Sequence, residues 1–198
     1  MKLAHATKAT PKSEQEIRAI AQGIRDVIVD IMDRGNGGIV HRIPMLEVFE
    51  SLSLKDEFIM AVVDDGQLPE ACAETTPDKK TITLSQSLYL AACEGDRDSL
   101  FTLAHELGHL YMHADQPNTF ARGSLSYTRE EDCEWQADQF ASELLVDRRL
   151  LRTDWSIVKV METFGVEWKI AKQALDEKKW EEKLAKPFRH QANLPPFS

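Results

Sequence analysis

Apolar residues recur at helical spacing near the N-terminus: Ile17, Ile20, Ala21, Ile24, Val27, Ile28 and Ile31. They form one face of a 3.6-residue period, which predicts an amphipathic helix. Ser13-x-x-Glu16 ahead of it resembles a capping box, and Gly35-Asn36-Gly37-Gly38 ends it. A second, short helix is expected from Pro44, with Met45, Val48, Phe49 and Leu52 inward. The pattern then changes. Glu57 to Val63 is rich in strand formers and runs into the turn signal Asp64-Asp65-Gly66. Glu70–Thr75 and Lys80–Leu84 predict a hairpin around Pro77-Asp78, with Thr81 to Leu84 alternating polar and apolar. Helical spacing returns around 88–93, along 100–111, and through Phe140, Ala141, Leu144 and Leu145. Residues 115–130 read as a polar loop. Residues 155–177 predict a helix pair about Gly165-Val166, and 186–198 an extended tail.

The expected fold is therefore α+β: a small, mostly antiparallel sheet packed on a helical core, with a C-terminal helix pair. The expected organisation is a tail over 1–12, the main domain over 13–150, a packed helical segment over 151–185 and a tail over 186–198. Thr81 to Leu84 is the strand expected at an edge, where an extended peptide could be added.

One helical segment contains His105-Glu106-Leu107-Gly108-His109. Positions four apart share a helix face, so two imidazoles there can bind one metal ion. Glu106 between them would sit beside the ion, where it can take a proton from water. This spacing carries the mechanism of a metallopeptidase. A buried helix bearing two histidines and a glutamate otherwise lacks a reason, because unpaired buried polar groups are costly.

Such a site needs a third protein ligand. Glu134 and Asp138 lie four apart on another predicted helix. Glu134 can bind the ion, and Asp138 can accept the N–H of a ligating histidine and set its tautomer. Alone, the two would read as solvated acids on a helix surface. Asp115, six residues after His109, is a rival ligand, but no glycine between them turns the chain. His113, four after His109, is expected behind the ligands, toward substrate or at the surface.

Ser99-Leu-Phe-Thr-Leu-Ala-His-Glu-Leu-Gly-His-Leu-Tyr-Met-His113 and Glu134-x-x-Ala-Asp-x-Phe-Ala-x-Glu-Leu-Leu145 together resemble the ImmA/IrrE family of metallopeptidases. The likeness covers about residues 40 to 175. It implies a zincin-like fold, with His105, His109 and Glu134 as metal ligands and Glu106 as the catalytic base. Zinc is the implied ion, and manganese is admissible. Two positions depart from the family's habit: Val146-Asp147 stands where Met-Pro is common, and Gln136 where glutamate is common.

Charge and cysteine content narrow the setting. The net charge is −9, with +3 in residues 1–12 and +3 in 178–198, leaving −15 between. An acidic body disfavours binding to a phosphate backbone and suits a basic protein partner, or simply aids solubility. Lys169 and Lys172 in the second helix of the pair are offset by Glu167, Asp176 and Glu177, so direct nucleic-acid binding is not expected. No apolar run is long enough to span a membrane, and no apolar leader is evident. Three scattered cysteines, Cys72, Cys93 and Cys133, argue against a disulfide framework and for a reducing cytoplasm.

The expected chemistry is peptide hydrolysis. Glu106 takes a proton from water and carries it to the leaving amine. A further donor should stabilise the oxyanion. Tyr127 is preferred among Tyr111, His113, Arg122 and Arg129. The family resemblance implies a protein partner that is a helix-turn-helix repressor, cut to derepress genes. In the alternative the chain is the toxin of a toxin–antitoxin pair, held by a DNA-binding antitoxin.

Overall fold

The computed structural model describes residues 8–32, 39–69, 71–76, 80–114 and 128–191, with side chains to residue 185. In chain order the elements are α1 (Glu14–Met32), α2 (Met45–Leu54), β1 (Ile59–Val63), β2 (Ala73–Thr76), β3 (Thr81–Ser85), α3 (Gln86–Cys93), α4 (Arg97–His113), α5 (Cys133–Leu145), α6 (Ile157–Phe164) and α7 (Trp168–Gln191). This is the α+β architecture expected from the pattern. The capping box forms as read: Ser13 N donates to Glu16 Oε2 at 2.8 Å, and Glu16 N to Ser13 Oγ at 3.3 Å.

The sheet is mixed, with strand order β1-β3-β2. β2 and β3 form the antiparallel hairpin, but β1 pairs with β3 in parallel, Ile59 opposite Thr81 through Val63 opposite Ser85. Thr81 to Leu84 is thus central, not at an edge. Its side chains fit that place, since Ile82 and Leu84 are fully buried. The described edges are β1 and β2. Strand order is a long-range choice that alternation cannot reveal, because a central and an edge strand can carry the same period.

The core forms around α5, which packs against both α4 and α1. Ile17, Ala21 and Ile28 of α1 meet Phe140, Ala141 and Leu144 of α5, and Leu103, Ala104 and Leu107 of α4 in one apolar cluster. Val27, counted in the apolar stripe, is exposed, and Arg25 is buried in its stead. Arg25 reaches the carbonyls of Leu144 (2.6 Å), Val40 (2.9 Å) and His41 (2.7 Å). It thereby satisfies main-chain acceptors at the end of α5 that the helix leaves open. Buried Asp147, at one of the family-divergent positions, lies 3.5 Å from the same guanidinium. The departure at Val146-Asp147 is therefore a structural substitution in the packing of α1 on α5.

The chain ends differ from the pattern's reading. Residues 8–12 are tied down: Ala9 N donates to Glu131 O at 2.8 Å and Lys12 N to Glu130 O at 3.1 Å. The helix pair turns at Gly165, whose φ of 71° is the left-handed cap that glycine adopts freely. α7 then continues to Gln191, where an extended tail is predicted from 186. Glu181, Glu182, Lys183, Leu184 and Ala185 are good helix formers and carry the turn forward. Lys172 is paired with Asp176 at 2.5 Å. Among the described residues, no helix is long and apolar enough to cross a membrane. All three cysteines are free.

Candidate metal centre

α4 supplies His105 and His109 from one face. Asp96 caps it, accepting from Ser99 N at 2.8 Å, and its apolar side is buried at Leu100, Leu103, Ala104 and Leu107. One turn separates His105 from His109, and their rings stand edge to face with centroids 4.7 Å apart. α5 crosses beneath and brings Glu134 to both: Oε2 lies 3.4 Å from His105 Nε2, and Oε1 3.5 Å from His109 Nε2.

The crossing is close because of Gly108. A Cβ there would meet Phe140 Cδ1 at 3.0 Å and the Ala137 Cα at 3.3 Å. A larger residue would push the two helices apart, and Glu134 with them. Gly108→Val is expected to lower stability by about 1–3 kcal/mol, read from urea unfolding, because overpacking outweighs the gain in helix propensity. Unchanged stability would mean that the helices have slack at the crossing.

The donor set fits a zinc-type ion. Donors about 2.0–2.2 Å from a tetrahedral zinc stand about 3.3–3.5 Å apart. The two Glu134–histidine separations match that spacing, and the three ligand atoms all lie within 4.8 Å of one another. The two Nε2 atoms are 2.9 Å apart, closer than that spacing. The electrostatics agree. Burial opposes a charge on His105, yet hydrogen bonds that it gives to the Asp138 and Glu134 carboxylates push it up to about 10. Hydrogen bonds with His105 and then His109 hold the Glu134 carboxyl well below the usual range.

Behind the ligands, each histidine has a partner for its other nitrogen. Asp138 Oδ1 lies 2.9 Å from His105 Nδ1. A carboxylate can only accept here, so His105 donates from Nδ1, which leaves Nε2 as the nitrogen that a metal would take. Asp138→Asn keeps the shape but weakens the acceptor. It is expected to reduce zinc affinity about 10–100-fold while circular dichroism stays unchanged. Equal affinity in chelator competition would remove Asp138 from the site. His109 Nδ1 faces His113 Nδ1 at 3.1 Å. His113 is buried, and burial pushes its imidazole down to about 4, so it is neutral.

Glu106, next to His105 on α4, is held by the sheet. It is buried and accepts from Thr75 Oγ1 of β2 at 2.5 Å. The hydroxyl also lies 3.2 Å from the Glu106 carbonyl. β2 therefore borders the site and holds the carboxyl, while its far side is a described edge of the sheet. Ser85 N bonds to the Cys72 carbonyl, so alternation along the antiparallel pair turns the main-chain groups of Ala73 and Thr75 outward.

Among the sequence candidates, His105, His109 and Glu134 converge, with Asp138 against His105 and Glu106 beside it on α4. Tyr127 and Arg122, and the rival ligand Asp115, lie outside the described residues. Arg129 is committed elsewhere: its guanidinium stacks 4.5 Å from the Trp135 ring and lies 3.4 Å from Glu14. His113 Nε2 faces Gln136 Oε1 at 3.0 Å rather than an open cleft. Thr75 and Gln136 were not legible as site residues. The only sequence signal for Gln136 is its departure from the family's usual glutamate, and Thr75 has none, because its partner lies 31 residues away.

Residues 71–178 match the IrrE N-terminal-like domain of the M78 peptidases. The chain belongs to the ImmA/IrrE family of metallopeptidases. The match contains both β2 and the α4–α5 pair, the elements that make the metal centre. A solved structure of a Mycobacterium tuberculosis transcriptional regulator is similar at 20% identity and a TM-score of 0.44, over 81% of this chain and 50% of that one. This chain thus spans about half the length of that relative. No curated protein matches it significantly.

Proposed function

We propose that this chain is a zinc-dependent endopeptidase that cleaves a helix-turn-helix repressor, with His105, His109 and Glu134 as ligands and Glu106 as the base. The observation that carries the chemistry is the convergence of His105 Nε2, His109 Nε2 and a Glu134 carboxylate, with a buried carboxyl beside them. The repressor as substrate rests on the family resemblance and on the acidic body, −15 over residues 13–177, which suits a basic partner.

Bound zinc would polarise both a water molecule and the scissile carbonyl. Glu106 accepts the proton from that water and delivers it to the leaving amine. Thr75 keeps the Glu106 carboxyl aimed and leaves one oxygen for the transfer. The substrate strand is placed along β2, where the outward groups of Ala73 and Thr75 offer main-chain hydrogen bonds next to the ion. This replaces Thr81 to Leu84, which is central. Tyr127 remains the proposed oxyanion donor.

The test uses the full chain and a purified helix-turn-helix regulator from the same genome, incubated with zinc. The expected result is two defined fragments, lost on chelation and restored by zinc or manganese. A stable complex with no cleavage under these conditions would instead favour the toxin–antitoxin reading.

A further inference from the structure

Gln136 is fully buried on α5, one turn behind Asp132 and away from the open side of the metal centre. Its carboxamide has only one donor end. That end faces two main-chain carbonyls, Thr10 O at 2.9 Å and Glu130 O at 2.7 Å. Carbonyls accept and cannot donate, so the nitrogen must point to them and Oε1 must point away. Oε1 lies 3.0 Å from His113 Nε2. An amide oxygen only accepts, so His113 carries its hydrogen on Nε2. As a ligand, His109 turns its Nε2 lone pair to the ion, so its hydrogen sits on Nδ1. That hydrogen points to His113 Nδ1, 3.1 Å away, which accepts it. His109 is left with its lone pair on Nε2, facing His105 and Glu134.

We propose that His113 and Gln136 are positioning residues, which hold His109 in the one tautomer that presents Nε2 to the metal. The inference rests on the ligand reading above and adds its control. His105 takes its orientation from a charged acceptor, Asp138, on the rim. His109 takes its own from a neutral relay that ends on the N-terminal segment. Residues 8–12 thereby become part of the centre's support, since the Glu130 carbonyl that accepts from Gln136 also accepts from Lys12 N. The reverse setting conflicts with the ligand reading. A hydrogen on His113 Nδ1 would face His109 Nδ1, forcing the His109 hydrogen onto Nε2 and into the metal's place.

A space-filling role and a positioning role separate by substitution. His113→Leu keeps bulk and removes the acceptor. His113→Asn places Oδ1 near the position of Nδ1 and keeps it. Zinc affinity of the full chain, by chelator competition, should fall about 10–100-fold in His113→Leu and return to within about threefold in His113→Asn. Gln136→Met should weaken binding in the same direction. Proton and nitrogen-15 spectra of the full chain, with and without zinc, supply a readout that packing does not move. His109 Nδ1–H should give a low-field, slowly exchanging signal that disappears in His113→Leu. Equal zinc affinity of the Leu and wild-type chains, or equal loss in Leu and Asn, overturns the proposal. So does a His109 hydrogen found on Nε2 in the metal-free chain. A chain that binds no zinc would overturn the ligand reading, while the metal-free spectrum still decides the relay.

Discussion

Glu106→Gln is expected to abolish cleavage while leaving the fold and the metal in place. Glu106 contributes no donor to the group of His105, His109 and Glu134, so the ion has the same three ligands in the variant. The amide can still accept from Thr75, so β2 stays docked. What is lost is the proton acceptor. General-base contributions are about 10²–10⁴ in rate, and the variant should fall by at least that much. The measurement is fragment formation from the regulator beside metal content of the same preparation. Near-normal cleavage by a fully metallated Gln variant would show that another group takes the proton. Loss of metal with activity would make Glu106 structural.

His109→Ala should remove the metal itself. The ion would keep His105 and Glu134, but two ligands on facing helices form no closed tetrahedral site. Zinc that binds only the folded chain stabilises it by about 2.7 kcal/mol at a hundredfold excess over Kd. For a chain of this size that is about 5–10 °C in Tm. The wild-type chain should show this zinc-dependent rise, and the variant should not. The metal-free variant should unfold close to the metal-free wild type, because the Ala side chain leaves the apolar cluster of α4 untouched. An equal zinc-dependent rise in both chains would place the ion elsewhere.

The two predictions draw on information that lies at different distances along the chain. His105 and His109 are one helical turn apart, and the turn is guaranteed by the apolar run around them. Local periodicity therefore suffices to bring both imidazoles to one point. The same holds for the Ser13–Glu16 cap, the β2–β3 hairpin and the glycine turn between α6 and α7. Each closes within a few residues, where steric and hydrogen-bonding rules leave few choices. Glu134 and Asp138 could be singled out because they share a face, but no spacing rule carries them 29 residues back to His105. That distance is bridged by the packing of α5 on α4, which Gly108 permits.

What tertiary structure alone decided are the pairings between segments that share no period. β3 takes the centre of the sheet because β1 joins it in parallel across the β2 hairpin arm, which moves the substrate edge to β2. Thr75 reaches Glu106 only because that edge lies against α4. Arg25 looks like an interruption of an apolar face until four carbonyls from two other segments surround its guanidinium. Gln136 looks like a neutral replacement until its carboxamide is fixed between Thr10, Glu130 and His113. Arg25 and Gln136 are buried polar side chains, so their partners must be found inside the fold. Most of those partners are main-chain carbonyls, whose positions are set by packing and not by the identity of the residues that carry them.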